Sequence, residues 1–143
     1  MIQPNRLTTI SEGLLPLAGT LKELYLQENK ITRIANVNAL TRLEILDISY
    51  NKVEHLEGID QLRELDALYL NANCISEYQE LDALAHNSKL TTISLFGNDV
   101  VKEPGYRMKL VELMPAIDDI DGTPMKTSYK VVFGSSKSME SQE

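Results

Sequence analysis

Few side chains in this sequence could make or break bonds, and their spacing argues against it. His55 and His86 are the two imidazoles, Cys74 is the one thiol, and Asp118, Asp119 and Asp121 form a tight carboxylate cluster. A general base or nucleophile needs a partner held beside it. No G-x-S-x-G, G-x-G-x-x-G, Walker loop, H-E-x-x-H or paired-Cys motif occurs. His55, which follows the turn at Asn51, and His86 therefore read as exposed polar residues. The three aspartates lack the glycine and terminal glutamate of a calcium loop, so no metal site is expected. Cys74 reads as a half-buried turn residue with nothing nearby to make it a thiolate. The expectation is a non-enzyme with no cofactor and no small-molecule substrate.

Binding chemistry remains, and the elements that would position it come from a repeat. LKELYLQENKI places apolar residues at Leu21, Leu24, Leu26 and Ile31 around Asn29. The frame returns at Leu43, Leu46, Ile48, Asn51 and Val53, at Leu65, Leu68, Leu70, Asn73 and Ile75, and at Leu90, Ile93, Leu95, Asn98 and Val100. The steps are 43 − 21 = 22, 65 − 43 = 22 and 90 − 65 = 25 residues. Each repeat has an apolar second half: Ile34, Val37, Leu40, then Leu56, Ile59, Leu62, then Tyr78, Leu81, Leu84. This L-x-x-L-x-L-x-x-N-x-I frame is that of the leucine-rich repeat.

Strand alternation turns the two leucines of x-L-x-L-x inward and leaves the intervening residues on the concave face of a parallel sheet. Asn29, Asn51, Asn73 and Asn98 stand where the chain leaves each strand. Stacked, their amides can serve turn groups that no sheet covers. Apolar residues three apart in the second half suit a short 3₁₀ or irregular turn. The expected fold is α/β: a right-handed solenoid with a parallel concave sheet, a short convex side and a C-terminal helical cap. In the cap, EPGYRMKLVELMPAIDDID, Pro104 opens a helix, Tyr106, Leu110 and Leu113 share one face, and Pro115 stops it.

The 143 residues suit one domain. Residues 1–121 read as the repeat domain: a partial repeat at 1–20, repeats at 21–42, 43–64 and 65–89, and the last repeat with its cap at 90–121. Residues 122–143, rich in Ser, Lys and Gly, read as a flexible tail. Asn5, Leu7, Ile10, Leu14 and Leu17 match the back half of a repeat, so the chain is expected to continue an array that begins upstream. Fourteen Lys and Arg against 21 Asp and Glu give a net charge of −7. That is the wrong sign for nucleic acid or an anionic membrane. The single cysteine, and an N-terminal stretch broken by Asn5, Arg6, Glu12 and Lys22, point to a soluble cytoplasmic and/or nuclear chain.

The repeats LKELYLQENKITRIANVNALTR and LEILDISYNKVEHLEGIDQLRE, the lengthened NCISEYQELDAL…LTTISLFGN, and the cap with Tyr106-Arg107, Pro115 and Ile120-Asp121 resemble the leucine-rich-repeat regulatory subunit of protein phosphatase 1. The resemblance covers roughly residues 20–121. The spliceosomal A-prime protein and the outer-arm dynein light chain share the repeat and cap type. The resemblance implies that aromatic and acidic side chains of the concave strands contact the phosphatase catalytic subunit. Carried over position by position, these are Tyr25, Asp47, Tyr69 and Ser94, with Glu23, Gln27, Asn71 and Phe96 beside them. Ser94 departs from an often aromatic position, and Ala67 stands where an acidic residue is expected.

Lys130-Val131-Val132-Phe133 also matches the docking peptide of many phosphatase regulators, in which a strand adds to a sheet edge and the Val and Phe fill apolar pockets. Packing of Val131 and Phe133 back onto the cap is the competing reading. The functional expectation is thus a protein-binding scaffold, regulating or targeting protein phosphatase 1. The alternative is an assembly subunit of a ribonucleoprotein particle or an axonemal dynein complex.

Overall fold

Strand pairing follows the leucine period. In the computed structural model, which describes residues 16–34, 37 and 39–124, strands β1 (Glu23–Tyr25), β2 (Ile45–Asp47), β3 (Ala67–Tyr69), β4 (Thr92–Ser94) and β5 (Asp119–Ile120) pair in parallel in chain order. β6 (Thr123–Pro124) turns back antiparallel on β5. Leu24, Leu46, Leu68, Ile93 and Ile120 stand opposite one another in register. All five are buried and belong to one continuous hydrophobic cluster. Each strand is short because the chain turns out immediately after the second inward residue. The residue before each ladder asparagine is left-handed: Glu28 (φ 60°), Tyr50 (61°), Ala72 (55°) and Gly97 (90°). At Gly97 space is tight as well, since a Cβ would lie 3.0 Å from the Ala72 nitrogen.

The asparagines knit these turns across repeats. Asn51 Nδ2 donates to Leu26 O and Ile48 O, both at 2.9 Å, while its Oδ1 accepts from Ile31 N at 2.9 Å. Asn73 repeats the pattern, donating to Ile48 O (3.0 Å) and Leu70 O (3.1 Å) and accepting from Val53 N (2.9 Å). Asn98 donates to Leu70 O and Leu95 O at 2.8 Å and accepts from Ile75 N at 3.0 Å. Asn29 donates to Leu26 O and Gln27 O at 3.1 Å. All four are buried.

The convex side carries 3₁₀ turns at Ile59–Gln61, Tyr78–His86 and Asp99–Lys102. The lengthened repeat departs from the expected register. Leu43 N and Leu65 N bond to Leu40 O and Leu62 O, and the corresponding bond in the next repeat runs from Leu90 N to Asn87 O. Asn87 therefore takes the place of Leu40 and Leu62, Leu81 and Leu84 take those of Leu56 and Ile59, and Tyr78 lies outside the frame. The extra three residues are absorbed before the apolar triad, in a longer 3₁₀ segment. Asn87 is fully buried, donating to Ile59 O (3.1 Å) and Leu62 O (3.0 Å).

The cap helix α1 spans Tyr106–Leu113. Pro104 does not open it: Gly105, left-handed at φ 81°, intervenes as N-cap, so Tyr106 is the first helical residue. Tyr106, Leu110 and Val111 are buried, Met114 follows them into the core, and Leu113 packs only partly. Burial of each such side chain is worth ~1.5–3 kcal/mol. Residues 122–124 are not tail: Thr123–Pro124 form β6, because Asp121 and Gly122 (φ 55° and 82°) make a hairpin turn. Among the described residues no helix is long and apolar enough to cross a membrane.

Candidate protein-binding face

The strand register sorts the concave residues into rows. Glu23, Ile45, Ala67, Thr92 and Asp119 form the first, and Tyr25, Asp47, Tyr69 and Ser94 the second. The third lies just past the strands, where Glu28 N bonds Ser49 O, Tyr50 N bonds Asn71 O and Ala72 N bonds Phe96 O. It runs Gln27, Ser49, Asn71, Phe96. All seven expected concave contacts other than Tyr25 thus share this surface with it. Neither lysine nor arginine enters these rows, while Glu23, Asp47 and Asp119 do.

Polar side chains of the face are already tied down. Asp47 Oδ1 accepts from Ser49 N at 2.9 Å, and Ser49 Oγ accepts from Asn71 N at 3.2 Å. The Ser94 hydroxyl donates to Asn71 Oδ1. This makes a pre-ordered floor across β2, β3 and β4, so its groups lose little freedom when a partner arrives. Ser94, where an aromatic was expected, is a member of that floor. Tyr25 donates to Glu23 Oε1 at 3.0 Å, and that bond, with the carboxylate's charge, holds its phenol pKa above the ordinary value.

Phe96 is 71% exposed and Tyr50 60% exposed, both beside this floor. Tyr50 was not foreseen, because it belongs to the turn and not to a strand. Its place immediately before Asn51 was the available signal. Ala67, by contrast, is buried between Ile45 and Thr92 and contributes no charge.

Of the other candidates, His55, Asp119 and Asp121 make contacts that hold the fold, while His86 and Cys74 lie open to solvent. His55 is exposed, with its Nδ1 2.9 Å from Glu80 Oε2, and that partner raises the imidazole pKa. Glu80 Oε1 also accepts from Leu56 N at 2.9 Å, so the carboxylate clamps the lengthened repeat onto its predecessor. His86 is exposed. Cys74 is exposed as well, not half-buried, because Asn73 points inward and the next side chain must point out. Asp121 serves the cap, accepting from Leu95 N (2.7 Å) and from the buried Tyr106 hydroxyl (2.9 Å). Burial first, and then Asp121, pushes the Tyr106 pKa far upward. Asp119 Oδ1 accepts from Gly122 N at 2.9 Å. No cluster of His, Cys, Asp and Glu able to hold a metal occurs among the described residues. Lys130, Val131 and Phe133 lie outside the described residues.

A leucine-rich repeat family model matches residues 28–131. Dynein axonemal assembly factor 11 of Danio rerio is 46% identical over 111 residues, which are 78% of this chain and 25% of that protein. Protein tilB of Drosophila melanogaster is 47% identical over 111 residues, 78% of this chain and 28% of that one. The chain thus spans about a quarter of the length of these relatives. Among solved structures, the Drosophila melanogaster SNF/U2A' complex superposes with TM-score 0.82 at 22% identity, covering 99% of this chain and 84% of that one. At that identity the likeness is one of fold. These relatives are a dynein axonemal assembly factor and tilB, and the finer resemblance to a phosphatase regulator finds no support in them.

Proposed function

Given that this chain belongs to the leucine-rich repeat family, we propose that it is the protein-binding module of a factor assisting axonemal dynein assembly. The concave rows are its contact surface. The carrying observation is the identity of 46% to the fish assembly factor and 47% to fly tilB across 111 residues. That identity extends over 78% of this chain, the greater part of the repeat array. These relatives favour the axonemal alternative set out from the sequence over the phosphatase reading.

The geometry suits holding a protein and not transforming a substrate. An open sheet presents Tyr25, Tyr69 and Phe96 around a floor whose hydrogen bonds are already made. Aromatic anchors on a rigid support are where interface energy concentrates. With carboxylates and no cations in the rows, the matching partner surface is apolar with a basic rim.

Affinity purification of the full-length gene product from a ciliated cell, followed by identification of stoichiometric partners, tests this. Axonemal dynein subunits are expected, and Tyr25→Ala with Tyr69→Ala should release them while the chain stays folded. Recovery of a protein phosphatase 1 catalytic subunit instead would favour the phosphatase reading. Partners retained in full by the double variant would remove the concave face from the proposal.

A further inference from the structure

A second surface differs from the concave face in sign. Where the strands begin, Lys22 and Glu44 immediately precede β1 and β2. The turns between repeats bring Thr41-Arg42 and Arg63-Glu64 beside them. Together they line a groove of about 440 Å³, within the range of ligand clefts.

Its charges are not balanced internally. Glu64 is engaged by Lys89, whose Nζ is 2.8 Å from Oε1. That pair, with Arg42 nearby, holds the Glu64 carboxyl below its usual range. Arg63 uses only its Nε, donating to Asp60 O at 3.3 Å. Among the described residues, no ion pair or hydrogen bond engages the Lys22 ammonium or the Arg42 guanidinium. Three cations thus face one uncommitted carboxylate, that of Glu44. In a chain of net charge −7 this grouping opposes the overall field.

We propose that this groove docks an acidic peptide segment of a protein partner. Two guanidinium groups offer planar forks that match carboxylates, and Lys22 adds a mobile point charge. Thr41 and Gln61 supply neutral hydrogen-bonding groups between them. The groove lies at the strand starts and the aromatic residues of the concave face at the strand ends, so one client could touch both. The inference nevertheless stands independently of the dynein reading.

The test is fluorescence anisotropy of the full chain with a fluorescein-labelled hexaglutamate peptide. Binding at low ionic strength that weakens as salt is added is expected. Arg42→Glu with Arg63→Glu should raise Kd about tenfold or more, since each exposed pair is worth only a fraction of a kcal/mol but reversal also adds repulsion. Glu44→Gln should tighten binding, and Tyr25→Ala with Tyr69→Ala should leave it unchanged. Arg42→Gln with Arg63→Gln, a milder pair, should weaken binding less, and circular dichroism checks the fold of each. The proposal is overturned if the native chain does not bind hexaglutamate, if both arginine variants bind as the native chain does, or if hexalysine binds equally well. A phosphoserine peptide bound where hexaglutamate is not would equally overturn it, identifying a phosphate site instead.

Discussion

Replacing Asn73 by Ala isolates what one rung of the ladder contributes, because the surrounding bonds can be counted atom by atom. Asn73 Nδ2 serves Ile48 O and Leu70 O, but Ile48 O also accepts from Asn51 and Leu70 O from Asn98. Its third acceptor, Asn71 O, retains Tyr50 N at 2.7 Å. The one group stranded is the Val53 N–H, whose only acceptor is Asn73 Oδ1. One orphaned buried donor costs ~1–3 kcal/mol. Asn87 is the internal control. Its acceptors Ile59 O and Leu62 O each keep a backbone donor, and its own Oδ1 is buried without a partner. Asn87→Ala strands nothing and removes an unsatisfied atom, leaving only a modest cavity. Urea unfolding of the two variants should therefore differ by ~1–3 kcal/mol, Asn73→Ala being the less stable. Asn73→Asp should be worse still at neutral pH, since it keeps the acceptor but points a carboxylate at carbonyl oxygens. It should recover partly in acid as the carboxyl becomes protonated. Equal destabilisation by both alanine variants, or an Asp variant as stable as the native chain, would refute this accounting.

Three further outcomes follow from contacts described above. Leu68→Ala, at a fully buried position in the middle of the sheet, should lower unfolding free energy by ~2–5 kcal/mol, and an unchanged denaturation midpoint would contradict the layering. The raised Tyr106 pKa means that folding favours the neutral phenol, so its contribution is complete below the ordinary tyrosine pKa of about 10 and is lost above it; melting curves should show Tyr106→Phe less sensitive than the native chain between about pH 9 and 11. His55, raised by Glu80, contributes fully below its ordinary pKa of about 6.5 and less as pH rises through the folded value. The native chain should out-melt His55→Gln near pH 5.5, and the gap should close by about pH 8.5.

The solenoid was readable because each repeat states its inward positions again. Leu24, Leu46, Leu68 and Ile93 could be aligned by counting, and each asparagine marks the end of its strand. Counting failed where the count changed. Read forward from Leu65, Leu84 corresponds to Leu62, but read backward from Leu90 the match is Asn87, and an asparagine there was not sought. A three-residue insertion shifts the frame without leaving a gap in the apolar pattern, so periodicity alone could not place it. Asp121 was similarly opaque. Its two acceptor roles, toward Leu95 N and the Tyr106 hydroxyl, join residues 26 and 15 positions away, and no local spacing encodes such a junction.

Partner choice is hard to read for a reason built into the architecture. Inward leucines and ladder asparagines bear the stability, while Tyr25, Asp47, Tyr69 and Ser94 occupy outward positions between them. A substitution on that face leaves the core contacts untouched, so the same frame tolerates very different partners. The frame consequently specifies a binding surface without specifying what binds. Identity must be sought in outward residues and in features outside the strands, which here are Tyr50 and Phe96 at one end of the sheet and the Lys22, Arg42 and Arg63 groove at the other. A client carrying both a basic-rimmed apolar patch and an acidic segment would satisfy both ends at once. Two weak contacts on one rigid body combine through effective concentration, so loss of either surface alone should weaken such a complex far more than its isolated affinity suggests.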